Sequence, residues 1–200
     1  MITNHMKTAE GLKINLGSSG FNKDGYVNVD VRTSVTPDIV HNLNTFPYPF
    51  PDNSADVIEL THLLEHLEKP FRVMAELHRI LKPTGLLYIA VPHFSRGFTH
   101  AEHEHGFDVS FPFYFSKERF PEQFYGSEYE LVSLKLNWLS RITIRYFPKL
   151  GVGNISAFFL KVFNTLFTAL ANVSPMACSR LWCFWVGGFE EIEFTLRAKK

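Results

Sequence analysis

The chain has 200 residues, 46% of them hydrophobic, and its 20 Lys and Arg balance its 20 Asp and Glu. This length and composition suit one domain that buries its own core, so we expect a single domain over residues 1–200. Because the net charge is zero, no global field attracts nucleic acid, and no nucleic-acid partner is expected. Cys178 and Cys183 lack redox or metal spacing, and residues 1–11 lack a secretory apolar run. These features favour a cytoplasmic location.

The first half of the chain alternates short apolar runs with turn residues. Strands are predicted over Leu12–Leu16 and Tyr26–Val31, near His41, and over Asp56–Leu60 and Leu86–Val91, with a helix over Pro70–Leu81. Repeated strand and helix units of this kind predict a Rossmann-like, doubly wound, mainly parallel sheet in an α/β fold.

The second half is rich in aromatic residues. Ser116 is predicted to cap a helix that runs to about Tyr125, and Leu131–Leu136 is predicted to be a sixth strand. The clean alternation of Glu191–Arg197 predicts an antiparallel terminal strand at the edge of the sheet, with one wet face. We therefore divide the chain into a cofactor-binding core at 12–138 with an acceptor loop at 92–115, a helical insertion at 139–189, and a terminal strand at 190–197.

An unusually apolar helix is predicted inside the insertion, over residues 157–171. Its apolar face is too wide for a helix that lies loose in water. Polar breaks interrupt the surrounding apolar stretch, so we expect a buried or interface helix rather than a transmembrane one. Three alternatives stay open: the helix caps the ligand cleft, forms a homodimer face, or rests as a peripheral contact on a membrane.

Two features at the carboxyl ends of neighbouring strands predict a nucleoside site. Gly17–Gly20 follows the first strand, and Asp30 ends the second. Ligands of open parallel sheets bind beyond these strand ends, where a glycine turn allows close approach and an acid accepts the ribose hydroxyls. A glycine turn alone is more often only a turn, so the prediction depends on its pairing with Asp30.

Several further blocks follow in order along the chain. They are Phe50–Asp56, Leu64–Leu67, Arg79–Gly85 and Val91–Ser95. Together with Leu16–Ser19 and Gly25–Asp30, they resemble successive motifs of class I S-adenosylmethionine-dependent methyltransferases of the type 11 family. The resemblance covers most of residues 12–125 and implies S-adenosylmethionine as cofactor. Some similar members are associated with bacterial surface-polysaccharide synthesis, which implies a small-molecule or glycan acceptor.

The resemblance also implies a set of cofactor-binding residues. They are Gly17, Ser18, Ser19, Asp30, Asn42, Leu43, Thr61 and His62. Ser19, Asn42 and Thr84 depart from the residues usual in the family. These departures keep open a second hypothesis, a non-catalytic cofactor-binding or scaffold protein with a degenerate site. A nicotinamide oxidoreductase is disfavoured because the full glycine fingerprint is absent.

A histidine-rich loop at residues 93–108, which we call the histidine loop, follows the strand that ends at Val91. Methyl transfer to a hydroxyl needs correct alignment and removal of a proton, and histidine suits the second task near neutral pH. The resemblance favours His93 as the general base, with His105 in reserve. The alternative is that these histidines bond backbone carbonyls in a polar loop. The spacing of His100, His103 and His105 is not diagnostic of zinc, so no metal site is predicted.

Two more patterns have competing interpretations. His62–His66 spells the H-x-x-E-H motif of some zinc peptidases, but it explains none of the other blocks, so we favour packing of its leucines on the sheet. The loop aromatics are predicted to divide between an apolar lid and the core. They are Phe94, Phe98, Phe107, Phe111, Phe113, Tyr114 and Phe115.

Overall fold

The computed structural model describes residues 11–97 and 100–200. Within these ranges seven strands form one sheet in the order β3-β2-β1-β4-β5-β7-β6. The strands are β1 (Leu12–Leu16), β2 (Val27–Asp30), β3 (Ile39–Val40), β4 (Ala55–Thr61), β5 (Leu81–Pro92), β6 (Tyr129–Asn137) and β7 (Glu191–Ala198). The first five strands pair in parallel, and β7 runs antiparallel to both of its neighbours. The predicted Rossmann-like α/β fold is confirmed.

Five helices accompany the sheet in the described residues. They are α1 (Pro70–Ile80), α2 (Phe94–Gly97), α3 (Arg141–Tyr146), α4 (Asn154–Val173) and α5 (Pro175–Ala177). Shorter 3₁₀ turns occur at Thr33–Val35, Leu64–His66, Phe111–Phe115, Pro121–Gln123 and Phe147–Leu150, and a π turn at Cys178–Trp182. Helix α1 begins with Pro70, whose fixed φ suits a first turn, and buries Val73, Met74 and Leu77 against the sheet.

The two faces of the sheet differ in chemistry. Apolar side chains such as Ile14, Ile58 and Phe194 point to one face and join α1 and the loop aromatics in the core. On the other face Asn15 donates to Asn28 at 2.9 Å, and polar side chains such as Glu59 stay partly exposed. The connections from β1 to β2 and from β2 to β3 contain no α-helix, which leaves this polar face accessible.

The predicted helix from Ser116 to Tyr125 is wrong. A single turn does start there, because Arg119 N donates to Ser116 Oγ at 3.3 Å and Phe120 N to Ser116 O at 3.0 Å. Pro121 then removes the next amide donor, and a continuous helix cannot form. The chain continues as the short turn Pro121–Gln123.

The predicted edge position of the terminal strand is also wrong. Strand β7 lies between β5 and β6, so β6 forms that edge of the sheet. The alternation that suggested an edge has another cause. Alternate residues of β7, including Phe194, point into the core, while their neighbours point to the polar face.

The apolar helix of the insertion is longer and more exposed than expected. It forms α4, and Ala171 is its one fully buried residue. The expectation of burial is therefore wrong, whereas an interface role stays a prediction. The two cysteines of the insertion are buried and unpaired, and burial raises the pKa of the Cys178 thiol to about 12. Phe98 and the segment 1–10 lie outside the described residues.

Candidate functional site

The glycine turn follows β1 as predicted and depends on a close contact. Gly17 has φ +66°, and a Cβ there would lie 2.8 Å from Leu63 Cδ1, so a larger residue would strain the backbone and displace Leu63. Its amide and that of Ser18 both donate to Val29 O, at 2.8 and 3.2 Å. The Ser18 hydroxyl is buried and has no hydrogen-bond partner among the described residues. The turn therefore fixes β1 to β2 while leaving one buried polar group unsatisfied.

Asp30 ends β2 beside this turn, which brings together two of the predicted cofactor residues. Its carboxylate accepts from Ser19 N at 2.8 Å and from Arg32 N at 2.9 Å. Burial alone would raise the pKa of Asp30, but the hydrogen bonds from Arg32 and Ser19 outweigh it and lower the pKa. The Arg32 side chain covers the Asp30 carboxylate, because its Nε lies 3.3 Å from Asp30 Oδ1 and its Nη2 lies 2.7 Å from Ser19 Oγ.

The remaining predicted cofactor residues occupy the same edge of the sheet. His41 N donates to Asp30 O at 3.0 Å, which places Asn42 next to the end of β2. Asn42 Oδ1 accepts from its own loop at Asn44 N, and the Leu43 side chain belongs to the core. Thr61 is exposed at the end of β4.

His62 has a strained backbone and a well-defined electrostatic environment. Its φ is +49°, a conformation that non-glycine residues rarely adopt. Its Nε2 lies 2.9 Å from Glu191 Oε2, and its Nδ1 lies 3.4 Å from Glu65 Oε1. Burial alone would lower the pKa of His62, but Glu191 and Glu65 outweigh it and raise the pKa to about 9. The residue joins the end of β4 to β7 through Glu191, and its role in cofactor binding stays a prediction.

His93, the first candidate for the general base, is completely buried. Its Nδ1 is 2.7 Å from Ser95 Oγ, and its Nε2 is 2.8 Å from Ser179 Oγ. Burial lowers the pKa of His93 to about 4, against the smaller opposing effect of the Asp108 carboxylate. Both ring nitrogens are engaged inside the protein, so this geometry disfavours His93 as a base for a bound acceptor.

His105, the reserve candidate, lines a cavity of about 610 Å³. Its Nε2 lies 3.3 Å from Glu68 O. A carbonyl only accepts hydrogen bonds, so this contact puts the proton on Nε2 and leaves the lone pair on Nδ1. Aromatic and charged side chains share the cavity wall with it. They include Phe71, Phe94, Asp108, Phe111, Tyr114, Tyr125 and Arg180.

Some of the loop aromatics lie in the core, as predicted, and others line the cavity; their role as a lid stays a prediction. Phe107, Phe111 and Phe115 are buried, and the first two also line the cavity. Phe71 stacks on Tyr125 with ring centroids 4.1 Å apart. The cavity thus combines flat apolar walls with a few charged groups.

Sequence reasoning missed three residues of this region. Arg32 closes over Asp30, Glu191 holds His62, and Glu65 is buried beneath the histidine loop. Glu65 stands inside the H-x-x-E-H pattern, which was a usable signal. The roles of Arg32 and Glu191 depend on contacts between distant or exposed positions, and no local pattern marks them.

Comparisons with known proteins agree with the fold and with part of the sequence. The family model of the type 11 methyltransferase domain matches residues 26–89, from β2 into β5. A search of curated proteins found no match.

Solved structures align with almost the whole chain. A putative sarcosine dimethylglycine methyltransferase from Galdieria sulphuraria is 14% identical, with 94% of this chain and 78% of that chain covered at a TM-score of 0.56. A SAM-dependent methyltransferase from Archaeoglobus fulgidus is 14% identical; the alignment covers 94% of this chain and 86% of that chain, with a TM-score of 0.51. The [4+2]-cyclase SpnF is 14% identical, with 94% and 74% covered at 0.51. At such identities the likeness shows the fold alone. The match over residues 26–89 and the shared fold are thus what this chain has in common with S-adenosylmethionine-dependent methyltransferases.

Proposed function

We propose that the chain transfers a methyl group from S-adenosylmethionine to a small-molecule or glycan acceptor. The observation that carries the proposal is the juxtaposition of the Gly17–Ser19 turn with the Asp30 carboxylate at the ends of β1 and β2. The same edge of the sheet binds nucleosides in open parallel α/β folds. The family match begins at Tyr26 and includes Asp30, which supports this assignment.

The residues present fit a nucleoside cofactor. Asp30 would accept the ribose hydroxyls, because a carboxylate has about four acceptor positions and three are used here. Arg32 would move aside at little cost, because its side chain is 55% exposed. The unsatisfied Ser18 hydroxyl is a second group that a ligand would satisfy. When bound, S-adenosylmethionine supplies an electrophilic methyl group.

The cavity beside His105 is the proposed acceptor site. Its aromatic walls suit the faces of sugar rings or other flat apolar groups, and Asp108 and Arg180 offer polar contacts. His105 Nδ1 would accept the proton of an acceptor hydroxyl while the Glu68 carbonyl holds the ring in place. The buried, unpaired thiols agree with the proposed cytoplasmic location.

A non-catalytic scaffold is the second candidate, and a specific observation favours it. The amides of Gly17, Ser18 and Ser19 are all engaged within the chain, so none is directed at a ligand. The structural neighbour SpnF is a cyclase, so methyl transfer is not the sole activity compatible with the fold.

Calorimetric titration with S-adenosylmethionine separates the two candidates. The methyltransferase proposal expects one site per chain, with competition by S-adenosylhomocysteine. Transfer of a labelled methyl group should then be assayed against a panel of sugars and small hydroxylated acceptors. Absence of cofactor binding by a folded chain would leave the scaffold as the better account.

A further inference from the structure

A buried carboxylate without a hydrogen bond lies beneath the histidine loop. Glu65, in the 3₁₀ turn Leu64–His66, is 0% exposed, and neither of its carboxylate oxygens has a hydrogen-bond partner within the described ranges. Burial of a charged group in this way is strongly unfavourable unless a cation compensates it. Both oxygens of Glu65 are therefore available as acceptors for a cation.

Within residues 11–97 and 100–200, the ion pair of Glu65 is with His62. His62 Nδ1 lies 3.4 Å from Glu65 Oε1 without hydrogen-bond geometry, while its Nε2 is bound to Glu191. One imidazolium would thus serve two buried carboxylates.

Two further histidines converge on Glu65. Single ligand atoms of Glu65, His66 and His103 all lie within 4.8 Å of one another. His66 Nδ1 lies 3.0 Å from Glu102 O, which fixes its proton on Nδ1 and leaves the lone pair on Nε2. The ring of His100 stacks on His103 at 4.6 Å.

We propose that Glu65, His66 and His103 bind a divalent transition-metal ion of the Zn²⁺ type. One carboxylate and two imidazoles form a donor set that suits zinc and related ions, with a remaining position for water or a ligand. A backbone hydrogen bond already holds the histidine loop against the Leu64–His66 turn, because Glu104 N donates to Glu65 O at 2.9 Å. The ion would tie the histidine loop to the end of β4.

The test uses the full chain after dialysis against a chelator. Titration with Zn²⁺ by calorimetry should show one ion per chain, and Co²⁺ should give the visible absorption of a tetrahedral site. Glu65→Gln, His66→Ala and His103→Ala should each weaken binding by at least about tenfold. His105→Ala is the matched control from the same loop and should bind as the wild type does.

Thermal unfolding keeps the proposal falsifiable if a variant binds poorly for structural reasons. Zn²⁺ should raise the unfolding temperature of the wild type but not that of Glu65→Gln. Equal Zn²⁺ affinity in Glu65→Gln and wild type, or no binding by the wild type, would overturn the assignment. None of these readouts depends on S-adenosylmethionine.

A separate inference comes from residues 131–189, which we call the acid-free segment. It contains none of the 20 Asp and Glu of the chain but holds Lys135, Arg141, Arg145, Lys149, Lys161 and Arg180. It also exposes large apolar side chains, among them Ile155 at 77%, Phe158 at 63% and Trp185 at 85%. A surface both cationic and apolar is complementary to an anionic lipid bilayer.

One side of α4 is already occupied by the sheet edge. Asn172 Oδ1 accepts from Leu136 N at 2.9 Å, and its Nδ2 donates to Leu136 O at 2.8 Å. Asn164 Oδ1 accepts from Leu139 N at 2.9 Å. Phe158, Val162 and Leu166 lie on the opposite side of the helix and are exposed.

This attachment decides how α4 meets a membrane. By length and composition, α4 is the one helix in the described part of the chain that is apolar enough to cross a bilayer, and 6% of its apolar window is buried. Crossing would draw the attached edge strand into the hydrocarbon, where its polar groups have no partners. We infer that α4 instead lies in the plane of an anionic membrane surface, with its outer side in the lipid.

Sedimentation with lipid vesicles tests this inference. The chain should bind vesicles that mix phosphatidylcholine with phosphatidylglycerol, and binding should weaken with salt and in pure phosphatidylcholine. Leu166→Asp should reduce binding by about tenfold or more. Val40→Asp, an equally exposed apolar site on the opposite edge strand, is the matched control and should bind normally. Lack of vesicle binding, or a solution dimer that Leu166→Asp dissociates, would overturn the inference.

Discussion

Residues 11–92 carry charges of both signs and keep most large apolar side chains inside, whereas the acid-free segment is purely cationic and exposes many of them. In the first region Arg79 pairs with Asp52 and Glu76 in the same region. In the second, Arg141 and Arg180 reach acids outside the segment. The first region pairs most of its basic residues with its own acids, while the second depends on neighbours and, we propose, on a membrane.

The acid-free segment meets the rest of the protein at a few buried polar contacts. His93, just beyond β5, contacts Ser179 of the acid-free segment, and Asn137 of β6 donates to Glu191 at 3.0 Å. Such contacts fix the orientation of the segment, because separating the two partners would leave buried polar groups without hydrogen bonds. Changes at such contacts test most directly how the parts of the molecule depend on each other.

The largest expected effect is a loss of folding stability at acidic pH that is caused by protonation of His93. The pKa of His93 is about 4 in the folded protein and near 6.5 in the unfolded chain. Between pH 4 and pH 6.5 the unfolded chain therefore binds more protons than the folded protein does. This group should therefore lower the free energy of unfolding by up to about 3 kcal/mol as pH falls from 6.5 to 4. Denaturant unfolding across this pH range measures it. His93→Asn should flatten the slope; an unchanged slope would mean that His93 is charged in the folded protein.

A slightly smaller effect is expected at the acceptor cavity. His105→Ala should lower turnover by roughly 100-fold with little change in S-adenosylmethionine affinity, as typical of a lost general base. Single-turnover methyl transfer with an identified acceptor is the measurement. His41→Ala is the control, because the His41 ring bonds to its own loop through Thr45 O, away from the cavity. Equal rates for His105→Ala and wild type would remove the base assignment.

Asp30→Ala sharpens the assignment of the cofactor end. It should weaken S-adenosylmethionine binding by more than about tenfold, because a charged acceptor for the ribose is lost. Arg32→Ala is the informative partner variant and should leave affinity equal or higher, since it uncovers the carboxylate. Calorimetric titration with S-adenosylmethionine measures the affinity of both variants and of the wild type. A loss of affinity in Arg32→Ala as large as in Asp30→Ala would show that the pair acts as a structural unit.

The smallest effect is expected within the acid-free segment. Ser140 Oγ accepts from Thr143 N at 3.1 Å and caps α3. Ser140→Ala should therefore lower the free energy of unfolding by about 1 kcal/mol. Ser133→Ala, at an exposed site on β6, should change stability by only a few tenths of a kcal/mol. A negligible effect of Ser140→Ala would mean that neighbours, rather than its cap, stabilise α3.

The strands of the first region were predictable because buried parallel strands leave continuous apolar runs between turn residues. The position of Asp30 beside the glycine turn followed from strand order alone. The features that the sequence did not reveal are those that distant residues decide. The burial of His93 depends on Ser179, and the inner position of β7 depends on pairing with β6. The exposure of α4 was hidden because an apolar helical pattern does not reveal what covers it.

The buried state of the two thiols has a practical consequence. Cys178 and Cys183 are the only cysteines of the chain, both are buried, and the pKa of each thiol is raised. Since thiolates rather than thiols react with alkylating reagents, the folded protein should behave as if it had no cysteine. A cysteine introduced at Val162, on the exposed side of α4, would then take a fluorophore selectively. Its emission colour would report directly whether that side of the helix is in water or in lipid.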